Sequence, residues 1–538
     1  MGNQIVQKQK TTCSRTIGRN PLFRRVFLFN IMILYLLAAS SACAPVNNEA
    51  STPIPPTVER EITTLSCFIA HQWFPVNEFT GVIPEQITQD TGVKLDLIIA
   101  VDSQQLSILI ASGDLPDLVY TDTSLDKLSN PDLCYAYDDL IENYDIDWNI
   151  DTFARENALL FSPDDKVYFV FNHDPGKDSW VKTDFGVPMA PSLSLRKDLL
   201  EEMGNPELKT LDDLSNVFEE VKYRYPDLIP LIFDPSWRFN VFRVWSGVTQ
   251  QDWISQEDGS YQFYTQTAAY KEMLWLLNSY YRKGYLVADN FAESDSQSSH
   301  WYELGRAFSK TTCTQNANVG YTNRLKGINP NFSSIECPPL DHSDYVTSDI
   351  GWSGTFITKN CTSPESAIRF MQYLFTPYAQ KLTQMGREGI DYTLEPSTGR
   401  PLFSTEWMAS IEQGTHNDIY NSWFYFGGSE IIESISRCAS LPNYENDYKS
   451  TYDSIRAGYR NEPWLAAAIQ VRNSEEKTML DKVYEMIIPY EAKMILSDSD
   501  QQFEAGFMEF QNSLNQVGLQ ELTQFMVSRI KVMREQYE

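Results

Sequence analysis

Residues 61–122 decide the fold, and they read EITTLSCFIAHQWFPVNEFTGVIPEQITQDTGVKLDLIIAVDSQQLSILIASGDLPDLVYTD. Three runs are rich in β-branched and other apolar residues: EITTLSCFIAH, VKLDLIIAV and PDLVYTD. The two segments between them have apolar residues at helical spacing and stop at Gly92 and Gly113, and Asp102 is a candidate N-cap of the second. This β-α-β-α-β order predicts a mainly parallel sheet covered by helices.

The ends of the first and third predicted strands are candidate ligand contacts. Ligands of such sheets bind in the crevice beyond the carboxyl ends of the strands. Trp73 and Asn77 follow the first strand, and Asp122 and Thr123 follow the third. Two alternatives stay open: Trp73 as a core residue that ends a strand, and Asp122 as the cap of the next helix.

The composition indicates a globular protein of two or more lobes. The chain has 538 residues, 42% of them hydrophobic, which is too long for one compact core. Its formal net charge is −29, although residues 1–42 contain six Lys and Arg and no Asp or Glu. A protein with this negative net charge repels the phosphate backbone of nucleic acids, so no nucleic-acid partner is expected.

The N-terminus has the pattern of a secretory signal. Basic residues precede the apolar run Val26–Ala39, and SSAC, Ser40–Cys43, follows it. This predicts a signal peptide over residues 1–42 and a polar, proline-containing spacer over residues 43–60. Cys43 stands where a bacterial lipobox carries its lipidated cysteine. Ser40 departs from the usual Leu, Val or Ile, so cleavage without lipidation stays open.

The rest of the chain has few motifs of its own. Amphipathic helices and one strand, LIPLIF, are predicted between residues 190 and 284, a strand and helix return near residue 350, and helices fill the chain from about residue 441. No nucleotide-binding loop, zinc-protease motif or serine-hydrolase elbow is present. DIDWNIDTFARE has the spacing of a calcium loop but has Ile150 at the turn position that requires glycine. No metal or cofactor is therefore expected.

Six cysteines follow the spacer: Cys67, Cys134, Cys313, Cys337, Cys361 and Cys438. None forms a C-x-x-C pair, so zinc ribbons and redox sites are not indicated. In an exported chain Cys313 and Cys337 could pair, but a chain of this size does not need disulfides. We expect most of the six to be small buried apolar residues.

Three segments together resemble the solute-binding lipoproteins of carbohydrate ABC importers, family 1 type, of Gram-positive bacteria. They are TGVKLDLIIAVDSQQLSILIASGDLPDLVYTD, LSLRKDLLEEMGNPELKTLDDL and ITKNCTSPESAIRFMQYLFTPYAQKLTQMGREGIDY. The resemblance implies an α/β, two-lobe, periplasmic-binding-protein-like fold of type II, with hinged lobes and a ligand cleft between them. Residues 61–170 and 350–440 would form lobe 1, and residues 171–349 and 441–538 would form lobe 2.

The resemblance also implies the activity. The protein would bind a carbohydrate, such as an oligosaccharide, without catalysis, and deliver it to the permease subunits of an ABC transporter. It would be a monomer, held by a lipid at the extracellular face of the membrane. Aromatic rings stack on sugar faces, and polar side chains bond the hydroxyls. The candidate contacts are Trp73, Asn77, Asp122, Thr123, Trp180, Trp237, Trp245, Trp352, Arg387 and Trp423.

Alternatives remain for these residues and for the function. A loop tryptophan can be a core residue, and Arg387 can pair with a neighbouring carboxylate. The protein could bind a peptide or a glycerophosphodiester, or present a ligand to a membrane sensor. A surface glycoside hydrolase is also conceivable, but Asp and Glu are so frequent in this chain that the sequence does not single out a catalytic pair of carboxylates.

Overall fold

The computed structural model describes residues 62–538, except 177–179, 181–182, 257, 293–294, 315–318, 423–425 and 472–473. The predicted signal peptide, the spacer, Cys43 and Trp423 lie outside the described residues. None of the described helices is both long enough and apolar enough to cross a lipid bilayer.

The described elements follow one another in three stretches of the chain. The first stretch has β1 (Thr63–Ile69), α1 (Val82–Thr91), β2 (Val93–Ile99), α2 (Gln105–Ser112), β3 (Leu118–Thr121), α3 (Leu125–Leu128), α4 (Tyr137–Asn143) and α5 (Thr152–Leu159). The second has β4 (Pro191–Arg196), α6 (Lys197–Glu202), α7 (Leu211–Arg224), β5 (Ile229–Ile232), α8 (Asn240–Trp245), β6 (Trp253–Ser255), β7 (Tyr261–Phe263), α9 (Ala268–Arg282), α10 (Asp295–Glu303), β8 (Ala307–Cys313), α11 (Val319–Ile328), β9 (Ser334–Glu336) and β10 (Tyr345–Thr347).

The third stretch returns to β11 (Gly354–Ile357), α12 (Pro364–Leu374), α13 (Pro377–Met385), β12 (Tyr392–Leu394), β13 (Pro401–Phe403), α14 (Thr405–Glu412), α15 (His416–Ile419), α16 (Glu430–Ala439), α17 (Tyr444–Asp447), α18 (Lys449–Gly458), β14 (Tyr459–Asn461), α19 (Pro463–Ile469), α20 (Glu475–Ile495), α21 (Asp500–Val517) and α22 (Leu519–Tyr537). The predicted helical character of the C-terminal part is confirmed.

The first sheet has the strand order β11-β3-β1-β2, and we call the part of the chain around it lobe 1. β1 pairs in parallel with both β2 and β3, which confirms the predicted parallel arrangement of residues 61–122. β11 pairs antiparallel to β3, with Gly354 opposite Thr121. The start of β11 therefore lies at the same edge of the sheet as the carboxyl ends of β1 and β3.

Local sequence explains where the first helices stop. Gly92 and Gly113 have φ angles of 73° and 75°, and their N–H groups close the last turns of α1 and α2. Glycine enters this left-handed region without steric cost. Asp102 Oδ1 accepts from the N–H groups of Gln104 and Gln105 at 2.8 and 2.9 Å, so the predicted cap satisfies the donors at the start of α2.

The second sheet has the strand order β5-β8-β4-β9, and we call the part of the chain around it lobe 2. Only β5 and β8 are parallel here, whereas β4 pairs antiparallel to both of its neighbours. The main hydrophobic core of lobe 2 combines side chains of α7, α8 and α9 with those of α20, α21 and α22. The C-terminal helices are thus part of the packing of lobe 2.

Separate hydrophobic cores support the division into lobes. Two clusters of buried side chains cover the two faces of the lobe 1 sheet, and a larger cluster fills lobe 2. Between β9 and β11, β10 pairs in parallel with β14 in a small sheet of its own. The boundaries of the lobes at residues 170, 349 and 440 stay predictions.

The six cysteines of the described part are buried, and none of them is in a disulfide. This confirms the interpretation that they serve as small apolar side chains. Burial also raises the pKa of the Cys134 and Cys361 thiols to about 12, so both are protonated at physiological pH.

Candidate ligand-binding site

Three aromatic rings are stacked at the carboxyl edge of the lobe 1 sheet. The ring centroids of His71 and Trp352 are 4.7 Å apart, those of Trp73 and Trp352 are 5.6 Å apart, and those of His71 and Trp73 are 5.1 Å apart. The interplanar angles are 29–31°, so the rings are close to parallel. We call His71, Trp73 and Trp352 the aromatic platform. Trp73 is 53% exposed, and this exposure leaves ring surface available to a ligand.

The platform is held from below by Tyr120, the third residue of β3. The Tyr120 ring meets His71 edge-on at 5.2 Å and Trp352 at 6.2 Å. Tyr120 is fully buried, and its hydroxyl accepts a hydrogen bond of 2.8 Å from Asn172 Nδ2. Asn172 O in turn accepts from the Trp352 N–H at 3.0 Å. One buried asparagine therefore fixes the supporting ring through its side-chain amide and the backbone of Trp352 through its backbone carbonyl.

Two glycines permit the close packing beside Trp352. Gly351 has φ of 100°, and a Cβ there would lie 2.4 Å from Cβ of Phe171. A Cβ at Gly354 would lie 2.2 Å from the ring of Phe169. Since real Cβ atoms do not approach so closely, the glycines of DIGWSGTF let the segment pass over the two phenylalanines. The motif thus has a structural role that places the tryptophan.

His71 gives the platform a polar atom. Its side chain is buried, and burial lowers its pKa, while Asp122 acts in the opposite direction. The imidazole is therefore neutral at physiological pH. Its Nδ1 is 3.9 Å from Asp122 Oδ1, which is too long for a hydrogen bond, and Nε2 has no hydrogen-bond partner within the described structure.

A cluster of four carboxyl side chains lies behind the platform: Asp174, Asp349, Glu430 and Glu433. Glu433 pairs with Arg437, and its Oε2 is 2.7 Å from His173 Nε2. The His173 ring meets Trp352 edge-on at 6.1 Å. Burial raises the pKa of Asp349 and, well above its usual value, that of Glu430. We call this group the carboxylate cluster.

Replacing Asp174 with asparagine tests the electrostatic state of this cluster. Burial first, and then the charges of Asp349 and Asp151, raise the Asp174 pKa from 3.8 to about 7, although the Gly176 N–H lowers it. The folded state therefore holds the Asp174 proton more tightly than the unfolded state does. As the pH rises from 3.8 to about 7, the wild type loses this contribution to its free energy of unfolding.

The asparagine variant should therefore be the more stable protein at pH 8, and the difference should vanish towards pH 4. Thermal unfolding across this pH range measures it. Asp114→Asn, an exposed aspartate before β3, is the matched control. A constant difference between variant and wild type at all pH values would contradict the raised pKa.

A cavity of about 580 Å³ adjoins the platform. Asp122 and Trp352 line it together with the loop after β3, Phe161, Phe171 and Ile350. Ala466, Gln470, Val471 and Lys477, around the junction of α19 and α20, line it too. A smaller cavity of about 260 Å³ lies beside β6 and shares Ser348 with it. The larger cavity alone has the size of known small-molecule sites.

Lobe 2 presents Trp237 on a loop that a buried ion pair holds. Asp234 follows β5, and its Oδ1 accepts from the N–H groups of Ser236 and Trp237 at 3.0 and 3.4 Å. Its Oδ2 bonds Nζ of Lys310, which is fully buried on β8. Arg238, which follows Trp237, has φ of 41°, and its Nη2 is 3.0 Å from Glu491 Oε2. Such a backbone persists only where its surroundings fix it, so the loop is held at both ends.

The chain was compared with known protein families, curated proteins and solved structures. No protein-family model matches it. FusA, the substrate-binding protein of a fructooligosaccharide ABC transporter in Streptococcus pneumoniae, is 24% identical over 235 residues. The match covers 39% of this chain and 42% of FusA, so it spans less than half of the length of that relative.

Solved structures match over far more of the chain. FusA in complex with kestose has a TM-score of 0.62 at 18% identity, over 88% of this chain and 99% of that chain. Alginate-binding protein AlgQ2 without calcium ion has a TM-score of 0.61 at 18% identity, with the same coverage. The fold is that of a two-lobe solute-binding protein. The N-glycan transport solute-binding protein NgtS of Streptococcus pneumoniae, with a TM-score of 0.57 at 13% identity, covers 88% of this chain and all of its own.

The fold expected from the sequence resemblance is thus confirmed, and so is the similarity to substrate-binding proteins of ABC transporters. Within the solute-binding fold, Trp73, Trp352 and Asp122 come together at the platform. Thr123 is exposed beside Asp122, and its N–H donates to Thr121 Oγ1 at 3.0 Å. Asn77 is exposed on the loop after β1.

Three other candidates lie where their side chains are engaged with the protein. Trp245 is 3% exposed and packs on Phe242 in the lobe 2 core, so the protein itself covers its ring in this structure. Trp180 is 5% exposed and donates to Glu430 Oε2 at 3.2 Å. Arg387 binds Asp391 through Nε and Nη2 at 2.8 and 3.1 Å, which is the ion pair that the sequence left open.

The candidate contacts did not include His71 or Tyr120, although both stand at the strand ends that the sequence singled out, and they also omitted His173, Asp174 and Asp349. His71 stands in the loop already singled out for Trp73, so its position was a usable signal. Asp349 opens the same DIGWSGTF segment that contains Trp352, whereas His173 and Asp174 come from a distant part of the chain, and only the fold brings them to Trp352. The calcium-like stretch has a structural role at its seventh position, because the Asp151 side chain accepts from the N–H groups of Phe153 and Ala154 and caps α5. No metal-binding group of His, Cys, Asp or Glu occurs in the described part of the chain.

Proposed function

We propose that the protein binds an oligosaccharide outside the cell and delivers it to the permease of an ABC importer. The aromatic platform carries this proposal. Sugar rings present flat C–H faces, and near-parallel aromatic rings with exposed surface are the side chains that bind such faces. The adjoining cavities offer room for more than one sugar unit, and the Asp122 carboxylate, which lines the larger one, offers an acceptor for hydroxyl groups.

The relatives support the same class of ligand. FusA is named for fructooligosaccharides and was solved with kestose, and NgtS is named for N-glycan transport. These proteins are named as substrate-binding proteins rather than as enzymes, so binding without turnover is the function we propose here. Closure of the two lobes on the ligand would then signal occupancy to the permease, provided that the ligand binds the closed state better.

A ligand screen by thermal unfolding tests this function, because a ligand of the folded state raises the unfolding temperature by mass action. The panel contains neutral and acidic oligosaccharides, peptides and glycerophosphodiesters. We expect a rise with one or more oligosaccharides and none with the other classes. A shift with peptides alone, or no shift from any oligosaccharide, would contradict carbohydrate binding.

We also propose that Cys43 is lipidated and that residues 43–60 tether the folded body to the membrane. The signal pattern and the proline-containing spacer support this. Cys43→Ala should move the protein from the membrane fraction to the medium, as immunoblots of fractionated cells would show. A Cys43→Ala protein that stays with the membrane would contradict the anchor.

A further inference from the structure

The smaller cavity, beside β6, has the size and the polarity of a subsite for one sugar unit. Its volume is about 260 Å³. Pockets that hold a whole drug-sized ligand have volumes of about 300–1,000 Å³, so a cavity below this range suits one unit of a longer ligand. The polar residues of its lining are Asn240, Gln250, Gln251, Asp252 and Ser348.

Some of the polar groups around this cavity are bonded within the protein and hold its wall. Arg243 Nη2 donates to Gln251 O at 2.6 Å, and Gln251 Nε2 donates to Val346 O of β10 at 3.0 Å. The Tyr484 hydroxyl donates to Asp252 Oδ2 at 2.8 Å. These bonds fix the wall, so little order has to be imposed on it when a ligand binds.

Other polar groups of the lining have no partner in the described part of the chain. The side chains of Asn240, Gln250 and Ser348 are half-buried, and none of them forms a hydrogen bond with another described residue. Asp252 Oδ1 is 4.0 Å from Arg243 Nη1, which is too long for a hydrogen bond. Two amides, a hydroxyl and a carboxyl oxygen are thus able to bond the hydroxyl groups of a sugar unit.

Helix α19 brings the two cavities together. Leu465 and Ile469 line the smaller cavity, and because they are four residues apart they lie on one face of the helix. Ala466 and Gln470, each the next residue along the chain, line the larger cavity. The cavities therefore border neighbouring faces of the same helix, and Leu465 and Ile469 offer apolar surface to the C–H groups of a sugar.

Ser348 connects the smaller cavity with the aromatic platform. It lines both cavities, and Trp352 of the platform lines the larger one. Ser348 and Trp352 are four residues apart, so their Cα atoms are separated by at most about 14 Å. A chain of a few linked sugar units is long enough to extend from the platform past Ser348.

We infer that the smaller cavity is a second sugar subsite, in which Asn240, Gln250 and Asp252 bind the hydroxyl groups of a unit beyond the platform. A sugar that ends at the platform leaves these hydrogen bonds unmade, so the smaller cavity selects ligands by chain length. This inference rests on the proposed carbohydrate function and adds a length requirement to it.

Calorimetry with sugars of increasing length tests the inference. The probes are fructo-, malto-, xylo- and manno-oligosaccharides of two to five units. In a class that binds, affinity should rise by at least about tenfold at the length that first enters the smaller cavity, because two or more hydrogen bonds are gained. Affinity that does not depend on length would overturn the inference and leave the carbohydrate function standing. Silence of all the probes would remove the carbohydrate function, and this inference with it.

The double variant Asn240→Ala/Gln250→Ala tests the two amides. Its loss of affinity should grow with chain length, from about twofold or less for short sugars to about tenfold for those that reach the smaller cavity. Asn515→Ala/Gln516→Ala, an exposed pair on α21, is the matched control and should retain the full gain with length. An equal loss at every length, or no loss at any length, would overturn the assignment of these residues.

A second variant, Gln250→Trp, tests the cavity by filling it. Its larger side chain should abolish the gain in affinity of the longer sugars, and thermal unfolding shows whether the variant is folded. A folded Gln250→Trp protein with an undiminished gain would show that the additional sugar units bind elsewhere, which would overturn the inference.

Discussion

Replacing Trp73 with alanine should weaken oligosaccharide binding about 30-fold and leave the unfolding temperature close to that of the wild type. Trp73 is 53% exposed and rests on His71 and Trp352 without entering the core of the sheet. An aromatic side chain at the centre of an interface contributes about 2 kcal/mol, which corresponds to this change in affinity. Removing an exposed ring changes stability by about 0.5 kcal/mol or less.

Calorimetry and thermal unfolding of the same preparation measure both quantities. Tyr223→Ala is the matched control, because Tyr223 is an 83% exposed aromatic residue on α7 in lobe 2. We expect no change of affinity there. A Trp73→Ala protein that unfolds early but retains its affinity would show that Trp73 is a core residue, the alternative that the sequence left open.

Replacing Lys310 with methionine should lower the free energy of unfolding by about 3–5 kcal/mol, the largest stability effect that we predict. Lys310 is fully buried, and it bonds Asp234 and donates to the Tyr321 hydroxyl at 3.0 Å. Burial alone would lower its pKa, but Tyr321 and Asp234 reverse this, so the ammonium stays charged. Methionine fills a similar volume but leaves the Asp234 carboxylate buried without its cation.

Denaturant unfolding followed by tryptophan fluorescence measures this loss, and Lys326→Met, an exposed position on α11, is the control. The double variant Lys310→Met/Asp234→Asn should regain much of the lost stability, because no buried charge is left unpaired. If Trp237 contacts the ligand, the single variant should also bind more weakly, since Asp234 holds the Trp237 backbone. Unchanged stability of the single variant would show that the pair is not needed to hold the loop.

The elements of residues 61–122 were predictable because local signals agree with one another. Gly92 and Gly113 end helices where the left-handed region is needed, and β-branched runs fill strands that are buried in the sheet. The antiparallel entry of β11 was not predictable, because the pairing of a strand depends on partners more than 200 residues away.

The site was predictable only in part, for a physical reason. Trp73 and Asp122 follow strand ends, and the chain direction in a parallel sheet places such residues at one edge. Trp245 was a candidate ligand contact, but Asn240–Trp245 forms α8, and the side chain is buried. The sequence around a tryptophan does not reveal which of its faces the rest of the protein will cover.

The attachment of all three rings of the aromatic platform to one sheet affects the entropy of ligand binding. His71 and Trp73 follow β1, Trp352 precedes β11, and Tyr120 of β3 supports them, so a single sheet carries the whole set. A ligand that meets this surface need not gather rings from separate bodies, and little conformational entropy is lost on contact. In the proposed binding mode, the part of the recognition surface that lobe 1 supplies is thus preorganised before the ligand arrives.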